Sequence, residues 1–177
     1  MLRYAIEYRS ELAIEWLSSI GRTQNKYLIC CGYNGFNFEV KEDDYHELQM
    51  VSLKHGRILG YFSCSFDRTC RKAYEIIAVN FLGEKNLSFA RDMFSFLDGI
   101  FVKYGMNKVE WSVTIGNPAE AQYDRIIKRY GGKVIGIRHE TCSLVDGTRC
   151  DMKLYELMRR DYMPRRRLAA ADAGKGD

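Results

Sequence analysis

Apolar residues recur at helical spacing in two long stretches, and each stretch predicts a helix with one buried face. The first stretch begins behind Ser10 as an N-cap and ends near Gly21. Its apolar face is formed by Leu12, Ala13, Trp16, Leu17 and Ile20. The second stretch is closed by Gly105, and its face is formed by Ala90, Met93, Phe94, Leu97, Ile100, Phe101 and Tyr104.

Between these two helices the apolar pattern becomes that of strands. The runs ELQMVSLK and ILGYFSCSF flank His55-Gly56, a dipeptide that suits a tight hairpin turn. KAYEIIAVNF follows with little alternation, which is typical of a central strand covered on both faces. The stretch 22–46 is irregular and predicts a loop with a short helical turn.

The clearest local signal comes after the second helix. The strand KVEWSVTI runs into Asn117-Pro118-Ala119-Glu120. Asn117 suits an N-cap, Pro118 the first helical position and Glu120 a capping box, so a third helix is predicted to start here. This helix ends at Gly131-Gly132, and its apolar face is formed by Tyr123, Ile126, Ile127 and Tyr130.

Two more strands complete the predicted fold. They cover 133–145 and 148–158 and pair across Asp146-Gly147, a strong hairpin signal. The strand–helix–strand crossover at 73–114 makes its two strands parallel. The order therefore predicts an α/β (α+β) fold with a mixed, mostly antiparallel sheet, one parallel strand pair and a ligand near the crossover.

Length and composition fit one domain over residues 1–163. The chain has 177 residues, of which 46% are apolar. No apolar run approaches the roughly 18 residues of a membrane span, and the charged N-terminus does not resemble a signal peptide, so a cytoplasmic protein is expected. The six cysteines show no CxxC spacing, and no metal site is expected.

The net charge of +4 is unevenly spread along the chain. Residues 164–177 include Arg165, Arg166, Arg167 and Lys175 and contain no aromatic residue, which predicts a disordered basic tail. The near-neutral remainder is a poor signature of a nucleic-acid-binding protein. Binding of DNA or RNA through the tail is therefore the last of the functional alternatives.

The order of elements and the segment NPAEAQYDRIIKRYGGKVIG resemble the GNAT superfamily of N-acetyltransferases over residues 3–158. The family motif has an Asn at a strand end, a Tyr further along the helix and a Gly that closes the helix. Asn117, Tyr123 and Gly131 fill these places, with the Tyr slightly early and the Gly slightly late. The resemblance implies helices on both faces of the sheet and a parallel strand pair splayed around a cleft for the cosubstrate, acetyl-CoA.

The pyrophosphate loop departs from the usual form of the family, which is Gln or Arg, two residues, Gly, one residue, then Gly or Ala. In register this chain has Gly83-Glu84-Lys85-Asn86-Leu87-Ser88. Asn86 replaces a glycine and tolerates a left-handed backbone, and Lys85 can supply the charge of the missing basic residue. With helix N-terminal N–H groups as phosphate donors, the residues implied in coenzyme A binding are Gly83, Lys85, Asn86, Leu87 and Ser88.

The resemblance also implies catalytic roles. Amine acetylation needs a base because deprotonating a lysine-like amine at pH 7 costs about 4.6 kcal/mol. Glu75 holds the position of the family's base, with Glu110 as a second choice. Tyr123 holds that of the general acid that protonates the leaving thiolate, with Tyr130 as its substitute. The structural alternatives are a solvent-facing strand residue for Glu75 and a core residue for Tyr123.

Main-chain groups of the splayed strand hold the pantetheine arm in the family. By position these belong to Ile77, Ala78 and Val79, while Asn117 contacts the arm or only caps its helix. The acidic run at 42–44 attracts a cationic amine or is a solvated loop.

The sequence thus predicts a transferase, an acetyl-CoA-dependent N-acetyltransferase that acetylates a primary amine by direct attack. The alternative is a catalytically inactive GNAT-like domain for coenzyme A binding or scaffolding, which the altered loop motivates. The residues specify neither the acceptor nor the oligomeric state, and a homodimer is among the assemblies that they allow.

Overall fold

The computed structural model describes residues 1–20, 26–27, 38–83, 85–144 and 146–173. In this part of the chain the strands are β1 (Leu2–Tyr4), β2 (Glu47–Lys54), β3 (Arg57–Asp67), β4 (Lys72–Asn80), β5 (Lys108–Thr114), β6 (Lys133–Ser143) and β7 (Arg149–Met158). The α-helices are α1 (Arg9–Ile20), α2 (Leu87–Val102), α3 (Glu120–Tyr130) and α4 (Arg159–Ala173).

The strands form one sheet in the order β1-β2-β3-β4-β5-β7-β6. All neighbours are antiparallel except β4 and β5, which are parallel because α2 carries the chain back between them. The predicted mixed sheet is therefore confirmed. The β2–β3 hairpin turns at His55 and Gly56, whose φ angles of 51° and 75° suit a tight turn between twisted strands.

Helices cover both faces of the sheet and bury two apolar clusters. Tyr61 and Phe62 are adjacent on β3 and therefore point to opposite faces. Tyr61 lies in the cluster beneath α1, together with Trp16. Phe62 lies in the larger cluster, to which α2, α3 and α4 contribute Phe96, Tyr130 and Tyr162. The parallel pair and the helices that flank it thus share one core.

Two predicted helix starts are wrong. A 3-10 turn, Ala5–Tyr8, continues directly into α1 at Arg9, so Ser10 lies inside the helix and is not its N-cap. Asn117 does not cap α3 directly, because the helix begins at Glu120 with Ala119 in the cap position. The Asn117 side chain instead accepts a hydrogen bond from the Ala119 N–H at 2.9 Å and fixes the turn that leads into the helix.

The disordered tail predicted for 164–177 is wrong for residues 164–173, which belong to α4. Tyr162 is fully buried, and its hydroxyl donates to Asp98 of α2 at 2.8 Å. Arg166 donates to the same carboxylate at 3.1 Å. These contacts hold the helix against the body, whereas residues 174–177 lie outside the described part. None of the described helices is both long and apolar enough to cross a membrane.

Candidate active site

Strands β4 and β5 separate shortly after they meet. They pair only at Lys72 with Lys108 and at Ala73 with Val109. Beyond these pairs β4 stays bonded to β3, and β5 stays bonded to β7, up to their C-terminal ends. The separation predicted between 73–81 and 108–114 is therefore present. It leaves a groove between the two strands, which we call the strand groove.

A bulge in β4 lies where the strand groove opens. The β3–β4 register shifts between Ser63 and Ser65, and Glu75 opposite this shift has a φ of 54°, which is rare for a residue with a side chain. An extra residue bends the strand that carries it and increases its twist. The Glu75 carboxylate is exposed and accepts a hydrogen bond from the Ser65 hydroxyl at 3.4 Å. A solvent-accessible carboxylate thus lies at the mouth of the groove.

Of the three residues predicted to bind through their main chain, only Ala78 turns its peptide groups toward the strand groove. The N–H of Phe81 donates to the carbonyl of Leu59 in β3 at 3.0 Å. Because hydrogen-bonded pairs alternate along an antiparallel ladder, Val79 and Ile77 also bond to β3. This pairing contradicts the main-chain role predicted for Ile77 and Val79, whereas for Ala78 the role stays a prediction.

The N-terminus of α2 is capped by Asn86. Asn86 has an extended backbone, with φ −131° and ψ 112°, and its side chain accepts a hydrogen bond from the Phe89 N–H at 3.1 Å. The left-handed conformation predicted for Asn86 is wrong, and Gly83, with a φ of 70°, adopts it instead. Asn86 is therefore an N-cap, which explains an amide side chain at this position without any ligand.

The other residues of the predicted pyrophosphate loop leave backbone N–H donors free at the N-terminus of α2. A helix offers no internal acceptor to its first N–H groups, which here include those of Leu87 and Ser88. Lys85 precedes them and is exposed. Glu84 lies outside the described residues. This end of α2 therefore combines backbone donors with a nearby positive charge.

Gly60 lets the first turn of α2 lie directly on the sheet. A Cβ at Gly60 would come within 2.3 Å of the Val79 carbonyl oxygen and 2.4 Å of the Phe89 ring. Phe89 stacks on Phe62 with ring centroids 4.6 Å apart, and Phe62 lies opposite Ala78. The donor-rich end of α2 is thus held over the part of β4 that faces the strand groove. Sequence reasoning overlooked Gly60, whose role depends on contacts between distant segments.

Tyr123 packs over β5 and β7. It is half-buried, with its ring centroid 5.9 Å from that of Trp111 and 6.1 Å from that of Tyr155. Burial raises the pKa of Tyr123 to about 12, so the phenol stays protonated at neutral pH. Within the described residues its hydroxyl makes no hydrogen bond. The proton of Tyr123 is therefore available to a ligand.

The other tyrosines near this position are committed to structure. The Tyr155 hydroxyl donates to Asp124 at 2.9 Å, and Asp124 also accepts a hydrogen bond from Lys153 at 2.7 Å. Tyr130, the predicted substitute for Tyr123, is 2% exposed and packs against core aromatic rings. This contrast favours Tyr123 among the three phenols.

Glu110 is a weaker base than the sequence suggests. It forms ion pairs with Lys72 at 3.2 Å and with Lys108. Burial by itself would raise the pKa of Glu110, but hydrogen bonds from the two lysines outweigh burial and hold it below its usual value. A carboxylate so stabilised in its charged form has little affinity for a proton. Of the two carboxylates predicted as the base, the geometry therefore favours Glu75 as the candidate.

Trp111, which sequence reasoning also overlooked, has an unpaired donor. The residue is 7% exposed, and its Nε1 is buried with no hydrogen-bond partner among the described residues. An unpaired buried donor costs about 1–3 kcal/mol relative to a bonded one. The alternating pattern of KVEWSVTI marks Trp111 as buried, but the missing partner is visible only in three dimensions.

Two shallow cavities lie away from the strand groove. They have volumes of about 390 and 220 Å³ and are lined mainly by residues 38–49 together with parts of β1 and α1. The acidic residues of the predicted 42–44 loop line the smaller one. Asp44 in this loop accepts a hydrogen bond from Tyr104 at 2.6 Å, so at least part of the run has a structural partner.

Solved structures of other proteins share this fold. No family model matches the chain, and no curated protein matches it. A probable acetyltransferase of known structure shares 16% identity at a TM-score of 0.69, covering 91% of this chain and 93% of that chain. The spermidine N-acetyltransferase from Vibrio cholerae in complex with CoA and spermine shares 19% identity at a TM-score of 0.71, covering 92% and 97%. The splayed parallel pair, the helix order and these two structures together show that the chain has the GNAT N-acetyltransferase fold.

Proposed function

We propose that the chain is an N-acetyltransferase that transfers an acetyl group from acetyl-CoA to a primary amine. The observation that carries the proposal is the separation of β4 and β5 after two residue pairs. This separation leaves the peptide groups of Ala78 facing a groove that an extended pantetheine arm can enter as an additional strand would. The Vibrio cholerae structure, which has the same fold, contains both CoA and spermine.

The groups around the strand groove fit the parts of coenzyme A. Ala78 offers a main-chain donor and acceptor to the amides of the arm. The N–H groups of Leu87 and Ser88 suit the pyrophosphate, because a helix N-terminus favours anions. Lys85 adds a positive charge at the same end, and Asn86 and Gly83 shape the turn before it.

Two side chains carry the chemistry that this substrate requires. Acetyl-CoA supplies an activated thioester. Glu75 accepts a proton from the incoming ammonium group, directly or through water, and the free amine nitrogen then bonds to the thioester carbon. As the carbon–sulfur bond breaks, Tyr123 donates its proton to the sulfur. The nitrogen loses its second proton, through water, to the Tyr123 phenolate, and Glu75 releases the first proton to solvent. Positioned acid and base groups of this kind contribute about 10²- to 10⁴-fold to rate.

The acceptor class follows from the same geometry. Glu75 is exposed at the mouth of the strand groove, where its negative charge attracts a cationic amine before deprotonation. Spermine in the Vibrio cholerae structure is such an amine. We therefore include polyamines with peptide N-termini and lysine side chains among the acceptors to be tested. A single domain acting in the cytoplasm is part of this proposal.

Calorimetry followed by turnover assays tests the proposal. Coenzyme A is titrated into the full chain, and thiol release from acetyl-CoA is then followed across the amine panel. We expect saturable binding and thiol release with at least one amine. Binding without turnover across the panel would favour the inactive binding domain. Absence of binding would overturn the proposal.

A further inference from the structure

The proposed acid, Tyr123, is not held in place by a hydrogen bond of its own. Within the described part of the chain its hydroxyl makes none, and its ring meets the rings of Trp111 and Tyr155 edge-on. A side chain whose polar end is untethered takes its direction from the backbone that carries it and from the rings around it. Whatever fixes the first turns of α3 therefore also fixes the phenol.

One lysine of β7 holds the first turns of α3. The Lys153 Nζ donates to both carboxylate oxygens of Asp124, at 2.7 and 2.9 Å, and to Glu120 at 3.2 Å. Glu120 and Asp124 are four residues apart and thus lie on the same face of the helix. The other Glu120 oxygen accepts a hydrogen bond from the Gly116 N–H at 3.1 Å, so the turn before the helix is tied to the same group. We call the side chains of Lys153, Glu120 and Asp124 the α3 clamp.

The α3 clamp reaches Tyr123 by two routes. Asp124 is the next residue of the helix, so a shift of its backbone moves Tyr123 as well. Asp124 also accepts a hydrogen bond from the Tyr155 hydroxyl at 2.9 Å, and the Tyr155 ring lies 6.1 Å from that of Tyr123. Because Tyr155 is fully buried, its ring has little freedom to adjust if α3 moves.

A contribution to stability is not sufficient to explain the α3 clamp. The side chains of Lys153 and Glu120 are only 18% and 23% exposed, and one lysine faces two carboxylates. Taking charged groups out of water costs free energy, and ion pairs of this kind are often replaceable as a whole by apolar groups without loss of stability. What such charges add, compared with apolar packing, is a defined geometry. Here they define where the first turns of α3 lie against β7.

We infer that Lys153 is a positioning residue for the acetyl transfer, acting through Asp124 to direct the Tyr123 hydroxyl toward the leaving sulfur. The inference rests on the proposed function. Lys153 belongs to β7 and lies opposite Val113 of β5, so β5 separates its strand from β4. Its part in the reaction is therefore indirect, and Tyr123 remains the group that transfers the proton.

A double-mutant cycle between positions 153 and 123 tests the inference. Lys153→Met removes the charge, keeps an unbranched side chain and should lower kcat by about threefold to tenfold, with little change in the affinity for coenzyme A. In the Tyr123→Phe background the same substitution should have almost no further effect on kcat, because the hydroxyl that it misplaces is already absent. Lys153→Arg should restore most of the rate. Lys128→Met is the matched control, since Lys128 is exposed in the last turn of the same helix.

The ligand-free protein provides a second measurement that does not depend on activity. The chain has 12 tyrosines, so in a sample with ¹³C-labelled tyrosine the Tyr123 ring signals are identified by their absence from Tyr123→Phe. These signals should shift in Lys153→Met and keep their positions in Lys128→Met. If thermal melts show that Lys153→Met does not fold, Asp124→Asn takes its place in both experiments.

The failure of the inference differs from the failure of the proposed function. An unchanged kcat in Lys153→Met, or an equal loss with and without the Tyr123 hydroxyl, would overturn the inference and leave the transferase proposal standing. Tyr123 ring signals that do not respond to Lys153→Met would have the same consequence. No thiol release by the wild type with any amine would overturn both.

Discussion

Strand β5 pairs to different extents with its two neighbours in the sheet. Along β7 every residue from Lys108 to Thr114 has a register partner, whereas along β4 only Lys108 and Val109 do. The same strand is therefore fully paired on one edge and open on the other. Because β5 is regular on its β7 edge, the opening must come from β4, where the bulge at Glu75 lies.

Ion pairs between β4 and β5 are also confined to the end where the two strands pair. At the paired end Glu110 of β5 forms an ion pair with Lys72 of β4. Beyond that point no ion pair joins the described residues of the two strands. The β4 residues that pack toward the helix side there are Ile76 and Ala78, both apolar and partly buried. The short paired end of β4 and β5 is thus reinforced by charge, while the open edge beyond it keeps unpaired peptide groups for an extended ligand.

The largest effect is expected at Tyr123, whose side chain lies over the fully paired edge between β5 and β7. Tyr123→Phe should lower kcat by about a hundredfold, because it removes the proposed acid. Its affinity for acetyl-CoA should stay nearly unchanged, since the ring and its contacts remain. Steady-state kinetics and calorimetry measure the two quantities. Tyr130→Phe is the matched control, and a larger kcat loss there would transfer the role to Tyr130.

The raised pKa of Tyr123 also predicts how kcat depends on pH. Burial raises the pKa of Tyr123 to about 12, so its protonated form persists well above neutrality. The kcat of the wild type should therefore show no loss from ionisation of Tyr123 below about pH 11. A pH profile measured with a stable acceptor checks this. A descending limb below pH 10 that disappears in Tyr123→Phe would contradict the burial argument.

A large side chain at position 78, beside the open edge of β4, should hinder the binding of coenzyme A. Ala78→Trp places a large ring on the helix side of the strand groove and should weaken coenzyme A binding by about tenfold to a hundredfold, equivalent to about 1–3 kcal/mol of overpacking. Val102→Trp is the control, because Val102 is 58% exposed near the far end of α2. Calorimetry on both variants, with thermal melts to establish folding, decides the outcome. Equal affinity in both would mean that the arm lies elsewhere.

Substitutions of Glu75 and Glu110, the two carboxylates near the point where β4 and β5 separate, should reduce activity to different extents. Glu75→Gln should lower kcat/KM by about tenfold to a hundredfold if Glu75 is the base. Glu110→Gln should reduce activity less, because hydrogen bonds from Lys72 and Lys108 already keep Glu110 ionised and unavailable. Rates with one acceptor at several pH values compare the variants. A larger loss in Glu110→Gln would exchange the two assignments.

The smallest effect is expected at the network that fastens α3 to β7. Hydrogen bonds from Lys153 and Tyr155 lower the pKa of Asp124 in the folded protein. The stabilisation is therefore present above the unfolded value of about 3.9 and is lost as pH falls through the folded value. Asp124→Asn should lower the free energy of unfolding by about 1 kcal/mol near neutral pH. Denaturant titrations should show the difference shrinking in acid, and a difference that grows there would refute the assignment.

Local patterns in the sequence predicted most of the helices and strands. Alternation and helical spacing placed most of the elements, and His55-Gly56 marked a turn that the chain does make. The splayed pair followed from family resemblance. Its physical basis, the bulge at Glu75, has no local signal because a positive φ at Glu is imposed by pairing with β3.

What the sequence missed depends on contacts between distant residues. Residues 164–173 have the composition of a tail, yet the helix that contains them is held by Asp98, more than sixty residues away. Asn86 and Asn117 fit family positions, but the side chains of both already accept hydrogen bonds from nearby backbone N–H groups. Among the arm-binding candidates, only the register with β3 reveals that Ala78 alone faces the strand groove.

Residue-resolved amide hydrogen exchange on β4 tests the central claim most directly. Val79 is bonded to β3, so its amide should exchange slowly with or without ligand. The Ala78 amide should exchange quickly in the free protein and become protected on saturation with coenzyme A. If the Ala78 amide is as slow as that of Val79 without ligand, or stays fast when coenzyme A is bound, the strand groove does not hold the pantetheine arm.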